Sequence, residues 1–369
     1  MLKRIACVFT VLAVMTVFLS GCNVGVSGKI KGADVFMFKT TGNTFGDLMF
    51  EGFEKVVSAA GGNPVYKSPS EAAVYAQVEM LDTLITQKVA SITISTIGTA
   101  GYDEVFKRAG EAGIKIISVD SAASPYHRTT HIEQTDPVAV GRDLVRAAVL
   151  IALGIDYPED GDMGTAVKDA LDGYTGEPLC FGILSSAVDT PIQNLWIECM
   201  KKELEDGIYS GKVEKNLEIK YGNDEPNESR RQADAFIAED SVDVIISPTT
   251  VGMFAAGEAL RSAGSDIKLT GLGLPSEMKD YMPSSPEDDA FSFVCPYMLL
   301  WNVEELGEIA ATATIAAKNG EYDGKIGSTF VYNGKLYETT VADDGGTRVI
   351  ALEPYVFHKG NIAEWAGIL

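Results

Sequence analysis

Only three histidines (His127, His131, His358) occur in this 369-residue chain, and none falls in an HExxH pattern. Neither a GxSxG turn nor a GxxxxGK[ST] loop is present, so the common hydrolase and nucleotide-binding signatures are missing. Positive charge is short: 30 Lys and Arg face 52 Asp and Glu, for a net charge of −22. Such a surface repels phosphates, which excludes nucleic acid and an anionic membrane face as electrostatic partners. Cysteine is sparse too. Cys7 and Cys22 lie near the start, and Cys180, Cys199 and Cys295 show neither CxxC nor metal-ligand spacing. No metal and no cofactor are expected. The most prominent apolar run, Ile5–Leu19, falls short of the roughly 20 residues that span a bilayer. What remains is an ordinary globular composition, long enough for two lobes.

That apolar run follows Lys3 and Arg4 and ends in Leu19-Ser20-Gly21-Cys22. This is the layout of a secretory leader closed by a bacterial lipobox. Residues 1–21 are expected to be removed and Cys22 to be lipidated; a diacylglyceryl group carries two chains, enough for stable anchoring. Residues 22–32 read as a flexible tether. The expected location is exported, lipid-anchored at the outer face of the bacterial cytoplasmic membrane or on its periplasmic side.

From Asp34 onward, short β-branched runs alternate with one-face helical periodicity, the signature of α/β folds with parallel sheets. The run Ile114–Val119 stops at Asp120-Ser121. Ligands of open parallel sheets bind beyond the carboxyl ends of the strands, where Asp120 can accept bonds from hydroxyls. Alternatively, Asp120 caps the following turn. The joint after the first strand, Lys39–Phe45, supplies an ammonium, the Asn43 amide and the Phe45 ring; the competing reading has Thr44 capping a helix and Phe45 packed in the core. The chain is expected to cross between lobes near Gln134–Asp136, before a helix opened by Pro137. In the second half, Ser185, Gln193, Asn194, Thr249 and Thr250 fall near strand ends, with Trp196 close by. Trp196 and Trp301 also suit plain core positions.

Residues 156–175 read as a solvated acidic insertion, because their carboxylates lack the alternation of a calcium loop. Phe291–Tyr297 is expected to be a strand returning to lobe one, and most of the 328–357 tail is assigned to lobe two and the hinge. The expected organisation is lobe one at 33–136 plus 298–326 and lobe two at 137–297 plus 327–369. Each lobe is a doubly wound parallel sheet, and a multi-strand hinge joins them.

Lys39 with GN-T-F, IKIISVDS followed by P-x-x-R and IEQTDP, SSAVDTPIQNLW, IISPTT, LLWNVEELG and EPYVFHKGNI together resemble one known fold. From Val35 to Trp365 the chain is similar to the type I periplasmic-binding fold, within it to rhamnose-binding proteins and autoinducer-2 receptors of ABC importers. The resemblance implies ligand contacts from Lys39, Asp120 and Gln193, with Pro248 and Thr250. Asn43, Phe45, Ser121, Gln134, Trp196 and Asn302 complete the candidate set. Ile192 stands where autoinducer-2 receptors carry an aspartate, and Thr250 where they have alanine. A deoxyhexose, pentose or related polyol therefore fits at least as well. The implied role is capture of a small sugar by a monomer and delivery to an ABC permease; the same shape also serves a membrane sensor. A glycoside hydrolase would need a second carboxylate roughly 5–10 Å from Asp120, and none is evident at the other expected strand ends. A repressor would need an N-terminal helix-turn-helix and a basic face, and a lipobox stands in its place.

Overall fold

The computed structural model describes residues 30–98 and 100–369, so the leader, Cys22 and most of the tether lie outside the described residues. Lobe one begins with strand–helix units: β1 (Asp34–Met37), α1 (Thr44–Ala59), β2 (Pro64–Lys67), α2 (Val74–Thr86), β3 (Ser91–Ile94), α3 (Asp103–Glu111), β4 (Lys115–Val119) and β5 (Thr130–Glu133). Side chains alternate across a strand, so neighbours in β1 feed opposite faces. Val35 and Met37 pack with Leu81, Leu84, Val105 and Phe106 under α2 and α3. Phe36 and Phe38 join Met49, Phe53 and Val57 of α1 on the other side.

Lobe two is built from α4 (Pro137–Ala152), α5 (Met163–Asp172), β6 (Phe181–Ser185), α6 (Pro191–Glu203), β7 (Glu218–Tyr221), α7 (Pro226–Glu239), β8 (Val244–Ser247), α8 (Thr250–Ala263), β9 (Lys268–Gly271), α9 (Pro275–Met278) and β10 (Met298–Leu300). Its parallel sheet runs β7-β6-β8-β9. A bridge from Leu272 to Leu299 appends β10 at the β9 edge. Three segments connect the lobes. The chain leaves lobe one at 134–136, returns after β10 into α10 (Val303–Asn319), and leaves again after residue 350. Two of the crossings run side by side, with Ala351 N donating to Glu133 O at 2.8 Å and Leu352 N to Gln134 O at 2.9 Å.

The tail is where the expected organisation fails. It forms β11 (Thr329–Tyr332), β12 (Lys335–Glu338), β13 (Thr340–Val341), β14 (Thr347–Ile350), β15 (Tyr355–Phe357) and α11 (Ile362–Trp365). β14 pairs parallel with β5, giving lobe one a seven-stranded order of β13-β14-β5-β4-β3-β1-β2. Residues 340–350 thus complete lobe one rather than lobe two. Edge pairing of β5 decided this, and a short β-branched run does not reveal its partner. β10, expected in lobe one, instead pairs antiparallel with β15 beside lobe two.

Two further expectations change. Phe291–Tyr297 is not a strand: Asp289 caps a 3-10 turn at Ala290–Ser292, and the Lys268 ammonium binds the carbonyls of Phe291 and Phe293 at 2.9 and 3.2 Å. The acidic insertion contains α5, with Asp162 as its N-cap; Met163, Val167 and Leu171, four residues apart, bury one stripe against α4. Cys180, Cys199 and Cys295 are all free thiols.

α1 and α10 lie in backbone contact behind the site. A side-chain carbon on Gly52 would collide with the Glu304 carbonyl, and one on Gly307 with the Met49 carbonyl. Only glycine permits that approach, which fixes the first turn of each helix beside the cleft.

Candidate functional site

The carboxyl ends of the strands of both lobes face one cavity between them, the place where open parallel sheets bind ligands. Lobe one contributes Phe38, Lys39, Asn43, Phe45 and Asp120 to its wall. Across from them stand Gln193, Trp196, Asp224, Pro248, Thr249 and Thr250, with Leu272, Leu300 and Trp301 beside the hinge. The lobes meet around it: Glu277 of α9 lies within reach of the Thr44 hydroxyl at the start of α1, and burial pushes its carboxyl up.

Asp120 leaves β4 with φ of +62°, a left-handed conformation that Asp tolerates better than most side chains. That turn directs the carboxylate at its neighbours. Lys39 Nζ sits 2.9 Å from Asp120 Oδ2, and Ser95 Oγ donates to the same oxygen at 2.7 Å. Both ionic side chains are nearly buried, at 8% and 5% exposure, so removing one would leave the other as an uncompensated buried charge. Asp120 Oδ1 is left for another donor. Asn43 lines the cavity as expected and also takes a role expected of its neighbour: Oδ1 accepts from Gly46 N at 3.1 Å, capping α1. The cap is therefore Asn43 rather than Thr44.

The aromatic residues form a connected wall. Phe45 meets Trp301 edge-on at 6.3 Å, and Trp301 packs against Trp196 at 5.8 Å. Both tryptophans are almost fully buried, as core positions require, and both also line the cavity, which was expected of Trp196 alone. Their indole N–H groups and Gln193 Oε1 have no hydrogen-bond partner among the described residues. Gln193 Nε2 donates to the Pro248 carbonyl at 3.4 Å.

Three expected contacts are placed elsewhere. Asn302 is spent on the cap of α10, where Oδ1 accepts from Glu305 N at 3.1 Å. Ser121 is fully buried, its backbone N donates to Ser95 Oγ at 3.3 Å, and it is not among the described residues lining the cavity. Gln134 is fully buried in the first crossing segment and is not among the described residues lining the cavity. Residues at or just past a strand's carboxyl end alternate in direction, and sequence alone does not say which one points into the cleft.

Sequence reasoning missed Phe38, Leu272, Leu300, Asp224 and Trp301, the last read only as a core residue. The first three are apolar and carry no signal. Asp224 had one: Gly222-Asn223-Asp224 directly follows β7, just as Asp120-Ser121 follows β4. Its φ of +53° turns the carboxylate into the cavity, and Thr249 Oγ1 donates to Oδ1 at 2.7 Å. Desolvation pushes the Asp224 carboxyl up, while the charge of Lys39 pulls it down. The expectation that Asp120 has no acidic counterpart is thus corrected.

Two doubly wound lobes closing on a cavity walled by hydrogen-bonding groups and aromatic rings define a clasp for a small polar solute. The chain belongs to the periplasmic binding protein family, whose domain profile matches residues 34–322. It is similar to an ABC transporter solute-binding protein from Clostridium phytofermentas with bound L-rhamnose, at 33% identity over 92% of this chain and 99% of that one, with a TM-score of 0.79. A sugar ABC transporter protein from Actinomyces odontolyticus aligns at 25% identity, covering 91% and 98%, with a TM-score of 0.64. LsrB from Clostridium saccharobutylicum in complex with AI-2 shares the fold at 19% identity, covering 90% and 99%, with a TM-score of 0.75. The protein is accordingly an extracytoplasmic sugar-type solute-binding protein and not an enzyme. Among the described residues, no helix is long and apolar enough to cross a membrane.

Proposed function

We propose that this protein captures a small neutral sugar, with a deoxyhexose of the rhamnose type as the first candidate, and presents it to an ABC permease. The observation that carries the reading is a set of unused bonding groups around one cavity. Asp120 Oδ1, Gln193 Oε1 and two indole N–H groups come from both lobes, and a polyhydroxylated ligand has the hydroxyls to pair with them. A buried polar group left unmade costs about 1–3 kcal/mol, so a ligand that satisfies several favours the closed form. Aromatic rings suit the C–H faces of a sugar, and Leu272 and Leu300 suit a methyl group where a hexose carries a hydroxymethyl. The L-rhamnose relative supports this choice. Ile192 in place of an aspartate weighs against autoinducer-2. Lipidation at Cys22 and the permease as partner complete the reading.

The test is thermal unfolding of residues 23–369 against L-rhamnose, other deoxyhexoses, pentoses, pentitols, hexoses and autoinducer-2. A ligand at a thousandfold over its dissociation constant stabilises by about 4 kcal/mol and raises the midpoint by several degrees. Asp120→Asn preserves the left-handed backbone but removes the charge paired with Lys39; the ligand-induced shift is expected to vanish. Gln193→Ala, which leaves that pair intact, is expected to reduce it. Silence of the wild-type protein across the panel would rule out the sugar reading.

A further inference from the structure

Asp120 and Asp224 approach the same cavity from opposite lobes, one after β4 and the other after β7. Lys39 lies between their influences: it contacts Asp120 directly, and both its charge and that of Asp120 are felt at Asp224. The ammonium is thus paired with one carboxylate and only influences the other. Asp120 Oδ2 already accepts from Lys39 and Ser95, whereas Asp224 Oδ1 accepts only from Thr249. Asp224 also keeps part of its surface open, unlike the buried Asp120. Two consecutive non-glycine residues, Asn223 and Asp224, are held at φ of +56° and +53° to aim it there. Side chains kept in this region are concentrated at binding sites.

Resting on the sugar reading above, we propose that Asp224 reads the ligand from lobe two. Its free oxygen accepts a ligand hydroxyl opposite the one held by Asp120, which confines the site to uncharged polyols with donor hydroxyls facing both lobes. A carboxylate accepts only, so a ligand atom facing it must carry a hydrogen to donate. With Lys39 already paired to Asp120 and a second carboxylate at Asp224, the cavity keeps no spare cation for an acidic sugar, so uronates and sugar phosphates are rejected by like charge. The same repulsion opposes closure of the empty cleft. A bridging diol relieves it, because each carboxylate then receives a hydrogen bond. Lobe closure is thereby coupled to the right hydroxyl pattern rather than to cavity filling alone.

The experiment is calorimetric titration of wild type and Asp224→Asn with L-rhamnose, or the panel sugar that replaces it, and with each of its monodeoxy derivatives. Asn tolerates the left-handed backbone and can still accept from Thr249, but presents N–H donors where the carboxylate accepted. Asp224→Asn is expected to weaken the parent sugar about ten- to a hundredfold. One monodeoxy derivative should bind wild type equally weakly, and the variant should be indifferent to that deletion. The ligand-free melting midpoint of the variant should be unchanged or higher, since a repulsion is removed. If the variant binds the parent sugar with unchanged affinity, or every hydroxyl deletion costs the same in both proteins, the inference is overturned while the sugar reading stands. A lowered ligand-free midpoint with unchanged selectivity would reduce Asp224 to an anchor for Thr249 and also overturn it. A wild-type protein that binds no panel sugar removes both.

Discussion

His131 lies buried in β5 with Nδ1 3.0 Å from Ser118 Oγ, and Glu133, two residues on, bonds Arg348 at 2.7 Å. Burial, reinforced by the Arg128 charge, pushes the His131 imidazole down to about 3. Burial pushes the Glu133 carboxyl up to about 7 despite Arg348. The two work against each other. A lowered histidine gives stability that is present above its ordinary 6.5 and is lost as the pH falls towards 3. A raised glutamate gives stability that is present below its ordinary 4.5 and is lost as the pH rises through 7. Between those ordinary values the slopes oppose one another. His131→Gln is therefore expected to lose less stability than wild type on going from neutral pH to pH ~5, and Glu133→Gln to lose more. Ligand-free melting midpoints recorded across that range check this, and parallel profiles for all three proteins would refute it. The residues of the site show how legibility depends on chemistry. Lys39, Asp120 and Gln193 were readable as polar groups after strands, whereas Leu272 and Leu300 resembled any core residue until the cavity was seen.

Among the elements, the α1–α10 pair does most to hold lobe one's side of the cleft. Asn43 caps α1 and Asn302 caps α10, so both helix starts are pinned near the cavity. Between them Gly52 and Gly307 allow backbone contact. Gly307→Ala is expected to destabilise by about 1–3 kcal/mol, since the carbonyl of Met49 must move to admit a methyl. It should also weaken ligand binding, because the displacement reaches Asn43 and Phe45. Denaturant unfolding gives the first quantity and titration the second; an unaltered midpoint would mean the helices separate at little cost. Existence and type of both helices were legible from their one-face periodicity, with boundaries shifting by up to three residues. α5 was not, because its three-residue apolar stripe is diluted by acidic neighbours. The expected strand at Phe291–Tyr297 was pre-empted by an Asp cap and a lysine that claims its carbonyls.

At the scale of the whole molecule, three crossing segments connect the lobes, two of them hydrogen-bonded to each other. Such an arrangement bends as a hinge more readily than it twists. The net charge of −22 keeps the surface self-repelling and gives an anionic membrane face no electrostatic hold on it. The proposed lipidation at Cys22 would therefore have to supply any membrane attachment by itself. Cys22→Ala is expected to release the full-length protein from the membrane fraction of the expressing cells and to abolish incorporation of labelled fatty acid, with sugar binding unchanged. Retention of the variant on membranes after a high-salt wash would refute lipidation at that position.

The sequence by itself determined the α/β alternation, the parallel strands, the placement of candidate ligand groups near strand ends and the lipobox-like pattern of the leader, because each is written in local periodicity or contiguous residues. Tertiary structure decided what depends on partners remote in the chain. β14 found the free edge of β5 some 215 residues away, which moved the tail into lobe one. The same long-range assembly brought Asp224 opposite Asp120 and set two tryptophans from different segments against each other. Backbone φ at Asp120 and Asp224 aims their carboxylates, and no local pattern states whether a residue past a strand will turn inward.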